Sequence, residues 1–379
     1  MIKGGINMKK ILIMGMLLLL VMLAGCGELT GNSVTSIQEE RIKLGAVLPL
    51  TGNAAAYGEA ARNALTMAVE EINANGGVKG KKLEIIFEDN MLDAGRSLSA
   101  LNKLVDIDNV VGVASLSSTN TLAMCPVAEA KKVPLMAIGT SDALTTRCGD
   151  YTFRVTSPDS FQGLKMLETV KEMGIKKVGI AYVNDEYGVG LSKTLQEKAD
   201  EFGVEVLVVE SFEVGTRDMK TQLVKIKEKQ PEAILLIPIL SEGIRFVVQA
   251  KQLGIDIPII SGEALKDDSF FEGAGDAVEE LYVTFFAENK NEFALNFKSK
   301  YDARFGKEAS DIFADFFYDM VYIYAEAIEN SDLDREKIKD ALYNVEFDGA
   351  SGYNKFDENG DVAKPFALFK AENGQFVEQ

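Results

Sequence analysis

Short runs of β-branched residues alternate with amphipathic stretches from residue 42 onward, and this alternation constrains the fold more than any other feature. Short apolar runs indicate buried strands, whereas apolar residues recurring every three or four positions indicate helices. The first cycle predicts, in order, strand 42–48, helix 54–75, strand 83–87, helix 94–106, strand 110–113, helix 119–132 and strand 134–138. This order is typical of a parallel sheet covered by helices on both faces.

The same alternation begins again after Phe153-Arg154-Val155. The second cycle predicts helix 160–173, strand 178–182, helix 188–202, strand 204–209, helix 218–229, strand 233–237, helix 241–253, strand 257–260 and strand 281–285. Helix 312–329 does not continue the alternation, and we assign it to the first unit; short strands near 355–356 and 366–369 end the chain. The predicted fold class is therefore α/β, with two doubly wound parallel-sheet lobes.

We predict that the chain crosses between the lobes three times, near residues 156–159, 283–286 and 349–353. These crossings give an N-terminal lobe of residues 42–158 and 284–350 and a C-terminal lobe of residues 159–283 and 351–379. Open parallel sheets bind ligands beyond the carboxyl ends of their strands, so two facing sheets would form a cleft. A ligand bound there can draw the lobes together by a hinge motion.

Residues 1–25 differ from the rest of the chain. Three Lys residues precede an apolar run of about 13 residues, which is too short for a membrane-spanning helix of roughly 20 residues. A basic start and a short apolar run are typical of a secretory signal peptide. Because the run ends in Leu23-Ala24-Gly25-Cys26, which resembles a bacterial lipobox, we predict that cleavage leaves Cys26 as a lipid-modified N-terminus. The alternatives are a buried N-terminal helix and a signal anchor.

Residues 26–41 are small and polar and predict a flexible tether between the lipid and the first lobe. The predicted protein is exported and anchored by lipid to the outer face of the cytoplasmic membrane, since no other segment is apolar and long enough to span it. Translation could begin at Met1 or at Met8, and both starts stay open.

The net charge argues against a nucleic-acid partner, and the cysteine content leaves open whether the chain contains a disulfide. The formal charge is −18, and removing the three Lys of residues 1–25 leaves −21, which argues against nucleic acid because phosphates require a basic surface. Cys125 and Cys148 remain after Cys26 is assigned to lipid. In an exported protein such a pair forms either a disulfide or two isolated buried thiols, and both readings stay open.

The chain contains no His. This excludes histidine-based catalytic triads, histidine metal ligands and imidazole acid–base chemistry. Cys125 and Cys148 have no histidine to activate a thiolate, and no Gly-Lys-Ser/Thr phosphate loop is present. We therefore predict a binding protein rather than an enzyme, with neither a cofactor nor a metal ion.

Hydroxyl-rich loops follow two neighbouring strands of the first lobe. Residues 114–120 follow the third predicted strand, and Gly139-Thr140-Ser141-Asp142 follow the fourth. Hydroxyl and N–H groups at helix N-termini suit a carboxylate or phosphate, although such residues also serve as simple helix caps. Two such loops at adjacent strand ends favour an anion site. Glu263 follows a strand of the second lobe, where it is either a solvated loop residue or the partner of a ligand ammonium.

Several motifs match one family in order along residues 42–379. They are Leu48-Pro49-Leu50-Thr51-Gly52, Tyr57-Gly58, the stretch 70–80 with its Ile-Asn-Ala-Asn-Gly-Gly-Val-Lys-Gly ending, Ser117-Ser118, Thr140-Ser141, Tyr151-Thr152-Phe153-Arg154, Asp185-Glu186-Tyr187-Gly188 and Gly262-Glu263. Through them the chain resembles the extracellular solute-binding proteins of the leucine/isoleucine/valine-binding type. The resemblance implies a type I periplasmic binding fold.

The resemblance also implies a set of ligand contacts. The N–H and hydroxyl groups of Ser117 and Thr140 would hold the α-carboxylate of an amino acid, while the Ile138 carbonyl, the Thr140 hydroxyl and Glu263 would hold its ammonium. At Pro238-Ile239-Leu240 the chain departs from the branched-chain binders, which carry a tyrosine there. The predicted ligand-binding residues are Tyr57, Ser117, Ile138, Thr140, Tyr187, Ile239, Glu263 and Phe313.

The resemblance implies a monomeric receptor that captures a small solute for an ABC-type uptake system. The expected ligand is an amino acid, with branched-chain amino acids among the candidates, and the expected partners are the permease and ATPase subunits. The alternative is a ligand-sensing receptor component for amides or small carboxylates. Because the chain has no signalling domain, such a sensor would report to a separate membrane receptor.

Overall fold

The structure is a computed structural model that describes residues 40–278, 280–306 and 312–379. The predicted signal peptide, the lipid attachment at Cys26 and the tether up to residue 39 lie outside the described residues. No helix of the described part is long and apolar enough to cross a membrane.

The first sheet is parallel throughout, and helices connect its strands. Its strands are β1 (Ile42–Leu48), β2 (Leu83–Asp89), β3 (Gly112–Leu116), β4 (Leu135–Ile138) and β5 (Thr152–Arg154), in the order β2-β1-β3-β4-β5. The connecting helices are α1 (Ala55–Ala74), α2 (Ala94–Asp106), α3 (Ser118–Ala130) and α4 (Ala143–Arg147). The alternation of apolar runs therefore predicted the parallel arrangement correctly.

The third strand lies later in the chain than the apolar run predicted. The run indicated residues 110–113, whereas β3 extends to Leu116. Ser115 is fully buried inside the strand, where its hydroxyl lies 3.0 Å from the Thr121 hydroxyl. Because this contact satisfies the buried polar group, a serine is tolerated at a central strand position where sequence pattern indicates a loop.

The second sheet is larger and mixed. Its parallel part comprises β6 (Lys177–Val183), β7 (Glu205–Phe212), β8 (Ala233–Ile237), β9 (Ile259–Ser261) and β10 (Leu281–Phe286). Its helices are α5 (Asp159–Glu172), α6 (Glu186–Lys198), α7 (Lys220–Lys229), α8 (Leu240–Gln252) and α9 (Ser269–Ala274). The C-terminal strands β13 (Phe366–Glu372) and β14 (Gln375–Glu378) extend the sheet by antiparallel pairing, β13 against β10.

The segment between β10 and β13 returns to the first sheet. It contains α10 (Glu292–Phe305), α11 (Ala314–Glu329), α12 (Arg335–Leu342) and the hairpin β11 (Glu346–Gly349) and β12 (Gly352–Lys355). Helix α11 packs on α1, and the Tyr324 hydroxyl donates to the carbonyls of Val113 and Pro134 at 2.9 and 3.0 Å. The lobe boundaries and the three crossings stay predictions.

Cys125 and Cys148 are joined by a disulfide, with their Cα atoms 5.6 Å apart. Cys125 lies in α3, and Cys148 follows α4. The bond therefore ties the two helices whose N-terminal ends carry the hydroxyl-rich loops. The sequence analysis could not choose between a disulfide and two separate thiols, because the spacing of two cysteines in the sequence does not fix their distance in space.

Candidate functional site

A cavity lies at the carboxyl ends of both sheets. Leu116 and Ile138 end β3 and β4 of the first sheet, while Ile239 and Glu263 follow β8 and β9 of the second. The space between the lining side chains is about 520 Å³, part of it open to solvent.

The cavity brings together the residues predicted to bind a ligand. Each of these residues lines it: Tyr57, Ser117, Ile138, Thr140, Tyr187, Ile239, Glu263 and Phe313. Their individual roles toward a ligand stay predictions. Sequence reasoning missed the other lining residues, which are Leu92, Leu116, Ser118, Gly139, Asp185 and Ala264.

The two sides of the cavity touch directly through Tyr57. Its hydroxyl, on α1 beside the first sheet, donates to the Ala264 carbonyl and accepts from the Leu240 N–H, both at 2.8 Å. A second contact joins α3 to α6, where the Glu186 N–H donates to the Thr119 hydroxyl at 3.1 Å. These bonds cross from elements of one sheet to elements of the other, so the cleft is closed in this structure.

Replacing Tyr57 by Phe is expected to favour an open cleft. The change leaves the Leu240 N–H and the Ala264 carbonyl without their partner, and an unsatisfied buried polar group costs about 1–3 kcal/mol. Opening would return both groups to water. Small-angle scattering should therefore give a larger radius of gyration for the variant than for the wild type. Tyr353→Phe, at an exposed hydroxyl bonded to Glu346, is the control, and equal radii for all three proteins would contradict the prediction.

The hydroxyl-rich side of the cavity differs from the expectation in one respect. The Ser117 N–H donates to the Ile138 carbonyl at 2.8 Å, and the Thr140 N–H donates to the Ser118 hydroxyl oxygen at 3.1 Å. Both N–H groups expected for a carboxylate are thus bonded within the protein. What remains for an anion are the Ser117 and Thr140 hydroxyls and the first N–H groups of α3, which have no carbonyl partner within the helix.

Ser118 organises this loop, although the sequence pointed to its neighbour Ser117. Its buried hydroxyl oxygen accepts from the N–H groups of both Thr140 and Ser141 at 3.1 Å. Ser117 itself adopts a positive φ of 86° as the residue before α3. A non-glycine residue in this region is strained, and such strain is concentrated at binding sites.

The side of the cavity formed by the second sheet is acidic. Glu263 begins a short 3₁₀ turn after β9, is 5% exposed and accepts a hydrogen bond from the Tyr187 hydroxyl at 2.9 Å. Burial raises the pKa of its carboxyl, while the Tyr187 bond acts in the opposite direction. A side chain at Gly262 would come within 2.4 Å of the Tyr187 oxygen, so glycine is required for this contact.

A second carboxyl group lines the cavity near Tyr187. Asp185 precedes α6 and accepts from the Gly188 N–H at 2.9 Å, which is the geometry of a helix cap. Burial raises its pKa to about 6. With Glu263, it makes this side of the cavity suited to a cation, because burying an anion without a partner is unfavourable.

Apolar side chains form much of the remaining cavity wall. Leu116 and Ile138 contribute from strands of the first sheet, Leu92 and Ile239 from the loops after β2 and β8, and Phe313 from the residue before α11. The Phe313 ring contacts the Tyr57 ring edge-on, with their centroids 6.2 Å apart. The arrangement suits a ligand with an anionic group, a cationic group and an aliphatic side chain.

Comparisons with known proteins agree with this geometry. The sequence model of the family described as periplasmic binding protein matches residues 41–375. The chain belongs to the periplasmic binding protein family. Its curated relatives include binding proteins of the Leu/Ile/Val type.

A curated relative is the leucine-, isoleucine-, valine-, threonine- and alanine-binding protein of Pseudomonas aeruginosa, 27% identical over 342 residues that cover 88% of this chain and 90% of the relative. Among solved structures, the branched-chain amino acid transporter substrate binding protein LivJ of Streptococcus pneumoniae in complex with isoleucine is 30% identical, with a TM-score of 0.82. That similarity covers 90% of this chain and 100% of LivJ.

The leucine binding protein LivK of Thermotoga maritima is 29% identical, with a TM-score of 0.84. That similarity covers 89% of this chain and 97% of LivK. These solved structures confirm the predicted α/β fold of the type I periplasmic binding proteins. The family and its named members also agree with the predicted class of exported solute-binding proteins of ABC transporters.

Proposed function

We propose that this protein captures an aliphatic α-amino acid, such as leucine, in the closed cleft and delivers it to the permease of an ABC-type uptake system. The observation that carries the proposal is the buried Glu263 on the second-sheet side of a cavity whose first-sheet side carries the Ser117 and Thr140 hydroxyls. The ammonium and the carboxylate of an α-amino acid match these two sides. The relatives named for leucine, isoleucine and valine support the same ligand class.

The side chain of the ligand would lie against Leu92, Leu116 and Ile239. Burying an aliphatic side chain contributes about 1.5–3 kcal/mol, which favours leucine over alanine. Ile239 is shorter than a tyrosine and carries no hydroxyl. The wall therefore favours aliphatic side chains over polar ones.

The test is a titration of residues 27–379, without the predicted lipid attachment at Cys26, with leucine, isoleucine, valine and alanine. A ligand present at 100 times its Kd raises the free energy of unfolding by roughly 2.7 kcal/mol, so a thermal-shift screen should detect binding before calorimetry measures it. The amine-free analogue 4-methylpentanoate and leucine amide are the matched controls. Tight binding of 4-methylpentanoate without binding of leucine would instead favour a receptor for small carboxylates.

We also propose that a lipid on Cys26 holds the receptor at the outer face of the membrane, near the permease. The support is the sequence Leu23-Ala24-Gly25-Cys26 after a short apolar run. Cys26→Ser is expected to release the protein from the membrane fraction or to leave it uncleaved, because the lipid supplies the attachment. Cell fractionation and the mass of the mature chain measure this, with Ser33→Ala in the same tether as the control. Unchanged membrane association at normal mature mass would contradict the proposal.

A further inference from the structure

Glu242 is a fully buried carboxylate that the proposed ligand contacts leave unused. It lies in the first turn of α8, just after the cavity-lining residue Ile239. A buried carboxylate is unfavourable unless hydrogen bonds or a cation satisfy it. The Arg245 guanidinium is 3.8 Å away, at the outer limit of an ion pair. The hydrogen bonds of Glu242 therefore indicate what this carboxylate does.

The Glu242 carboxylate holds the loop between β7 and α7. One of its oxygens accepts from the Gly215 N–H at 2.5 Å, and the other accepts from the Ser241 hydroxyl at 2.6 Å. Gly215 lies near the middle of residues 213–219, which we call the rim loop. The rim loop lies beyond the carboxyl end of β7, the outer strand of the second sheet. Glu242 thus attaches the rim loop to α8.

Two further side chains of α8 bind the rest of the rim loop. The Arg245 guanidinium donates to the Thr216 carbonyl at 3.2 Å. The Gln249 amide donates to the Arg217 carbonyl and accepts from the Met219 N–H, both at 2.8 Å. Residues three and four positions apart share one face of a helix, so a single face of α8 carries all these attachments. The rim loop is therefore fixed to α8 along most of its length.

The rim loop meets the first sheet at Gly215. A Cβ atom added to Gly215 would lie 3.3 Å from the Asn53 amide nitrogen. Asn53 is exposed and belongs to the loop between β1 and α1, whereas Gly215 follows a strand of the second sheet. The contact thus joins the two sides of the cleft at the protein surface. Because it joins both sides, a hinge opening would separate it.

The loop that carries Asn53 is also held by a carboxylate of its own side. Asp89, the last residue of β2, accepts from the N–H groups of Leu50 and Thr51 at 2.9 and 3.3 Å and from the Thr51 hydroxyl. Two anchored loops therefore meet where Asn53 faces Gly215. Their contact has a defined position, because neither loop depends on the other for its attachment.

Helix α8 connects the rim loop to the cavity. Ile239 lines the cavity directly before the helix, and the Leu240 N–H donates to the Tyr57 hydroxyl at 2.8 Å. The same helix holds the rim loop through Glu242. A single rigid element therefore carries a cavity wall residue, a bond that closes the cleft and the loop that meets Asn53.

We propose that the rim loop, positioned by Glu242, closes on Asn53 and slows the escape of a bound ligand. This inference rests on the proposed function. Glu242 is a positioning residue, and it does not line the cavity. The contact forms only after the ligand has entered and the cleft has closed, so it should lower the dissociation rate and leave the association rate nearly unchanged. The preference for leucine over alanine should also stay unchanged, because Asn53 and Gly215 do not line the cavity.

Gly215→Leu tests the contact, because its side chain would occupy the space of the Asn53 amide. Residues 27–379 are loaded with labelled leucine and diluted into excess unlabelled leucine. The variant should release the label about tenfold faster than wild type, and adding Asn53→Ala should bring the rate back to within about threefold. Strain from a leucine at the positive φ of Gly215 would not be relieved by the second exchange. Glu213→Gln, which keeps its bond from Asn184, is the control and should behave as wild type.

The role of Glu242 is tested by two exchanges at the same position. Glu242→Ala removes the attachment of the rim loop and should speed release of leucine about tenfold. Glu242→Gln keeps an oxygen for the Gly215 N–H and offers its amide N–H to the Ser241 hydroxyl, so it should release leucine at the wild-type rate. If Glu242→Ala does not fold, the Gly215→Leu and Asn53→Ala pair decides, because both positions lie at the surface.

The outcomes separate this inference from the proposed function. An unchanged release rate in Gly215→Leu, or a fast rate that Asn53→Ala does not restore, would overturn the role of the rim loop and leave the ligand class intact. If the wild type binds no aliphatic amino acid, the proposed function fails, and scattering of the ligand-free proteins decides the role of the rim loop. Gly215→Leu should then have a larger radius of gyration that Asn53→Ala restores, and equal radii would overturn the inference.

Discussion

Glu263→Gln is expected to weaken leucine binding by two orders of magnitude or more. Glu263 is 5% exposed, so the ligand ammonium would lose its anionic partner in a place that water does not reach. Removing one member of a buried ion pair costs about 3–5 kcal/mol, and each 1.4 kcal/mol corresponds to a factor of ten in Kd. The fold should persist, because the glutamine oxygen can still accept from the Tyr187 hydroxyl.

Calorimetry with the folded variant measures this effect. Glu288→Gln, at a half-exposed carboxylate paired with Lys266, changes the same chemistry away from the cavity and should leave Kd unchanged. Ser117→Ala should weaken binding less than Glu263→Gln, since the Thr140 hydroxyl and the first N–H groups of α3 remain for the carboxylate. Equal affinity of Glu263→Gln and wild type would mean that Glu263 does not hold an ammonium, and an uncharged amide or an amine-free carboxylate would become the candidate ligand.

Arg154→Met is expected to lower the free energy of unfolding by about 3–5 kcal/mol. Arg154 is 1% exposed and pairs through two nitrogens with Asp361, which lies near the C-terminus. It also donates to the carbonyls of Thr140 and Ser141 at 3.3 and 2.9 Å. Methionine would fill part of the space but would leave the Asp361 charge without its partner.

Chemical denaturation of both proteins measures the loss. The matched variant Arg154→Met with Asp361→Asn should recover part of the stability, because it removes the charge that the single exchange leaves unpaired. If Arg154→Met lowers the free energy of unfolding by less than about 1 kcal/mol, the pair contributes no more than an exposed ion pair, and the prediction is wrong. Since Arg154 supports the loop of Thr140 and Ser141, we expect weaker leucine binding in the same variant.

Local sequence pattern predicted most elements of the fold. Strands Ile42–Leu48 and Ala233–Ile237 and helix Ala94–Asp106 have the predicted bounds, because their apolar residues follow one period without interruption. The third strand was placed too early, since Ser115 resembles a loop residue until its contact with Thr121 is known.

The candidate site was predictable in its members but not in its bonds. Family motifs indicated Ser117, Thr140 and Glu263, and all three line the cavity. That the Ser117 N–H is bonded to Ile138 depends on the pairing of β3 with β4, which no motif states. Leu92 was missed because it lies on a loop in a left-handed conformation, with φ of 60°, outside any apolar period.

The sequence by itself determined two βα cycles, a binding protein without histidine chemistry and an acidic residue at a strand end of the second sheet. Periodicity indicates the βα cycles and the strand ends, because it depends on residues that are neighbours in the chain. Composition shows the absence of histidine directly. Only the tertiary structure decided that the Tyr57 hydroxyl reaches the Ala264 carbonyl and that Arg154 pairs with Asp361. Each of these contacts joins residues 207 positions apart, and its formation depends on how the chain crosses between the sheets, which local periodicity does not determine.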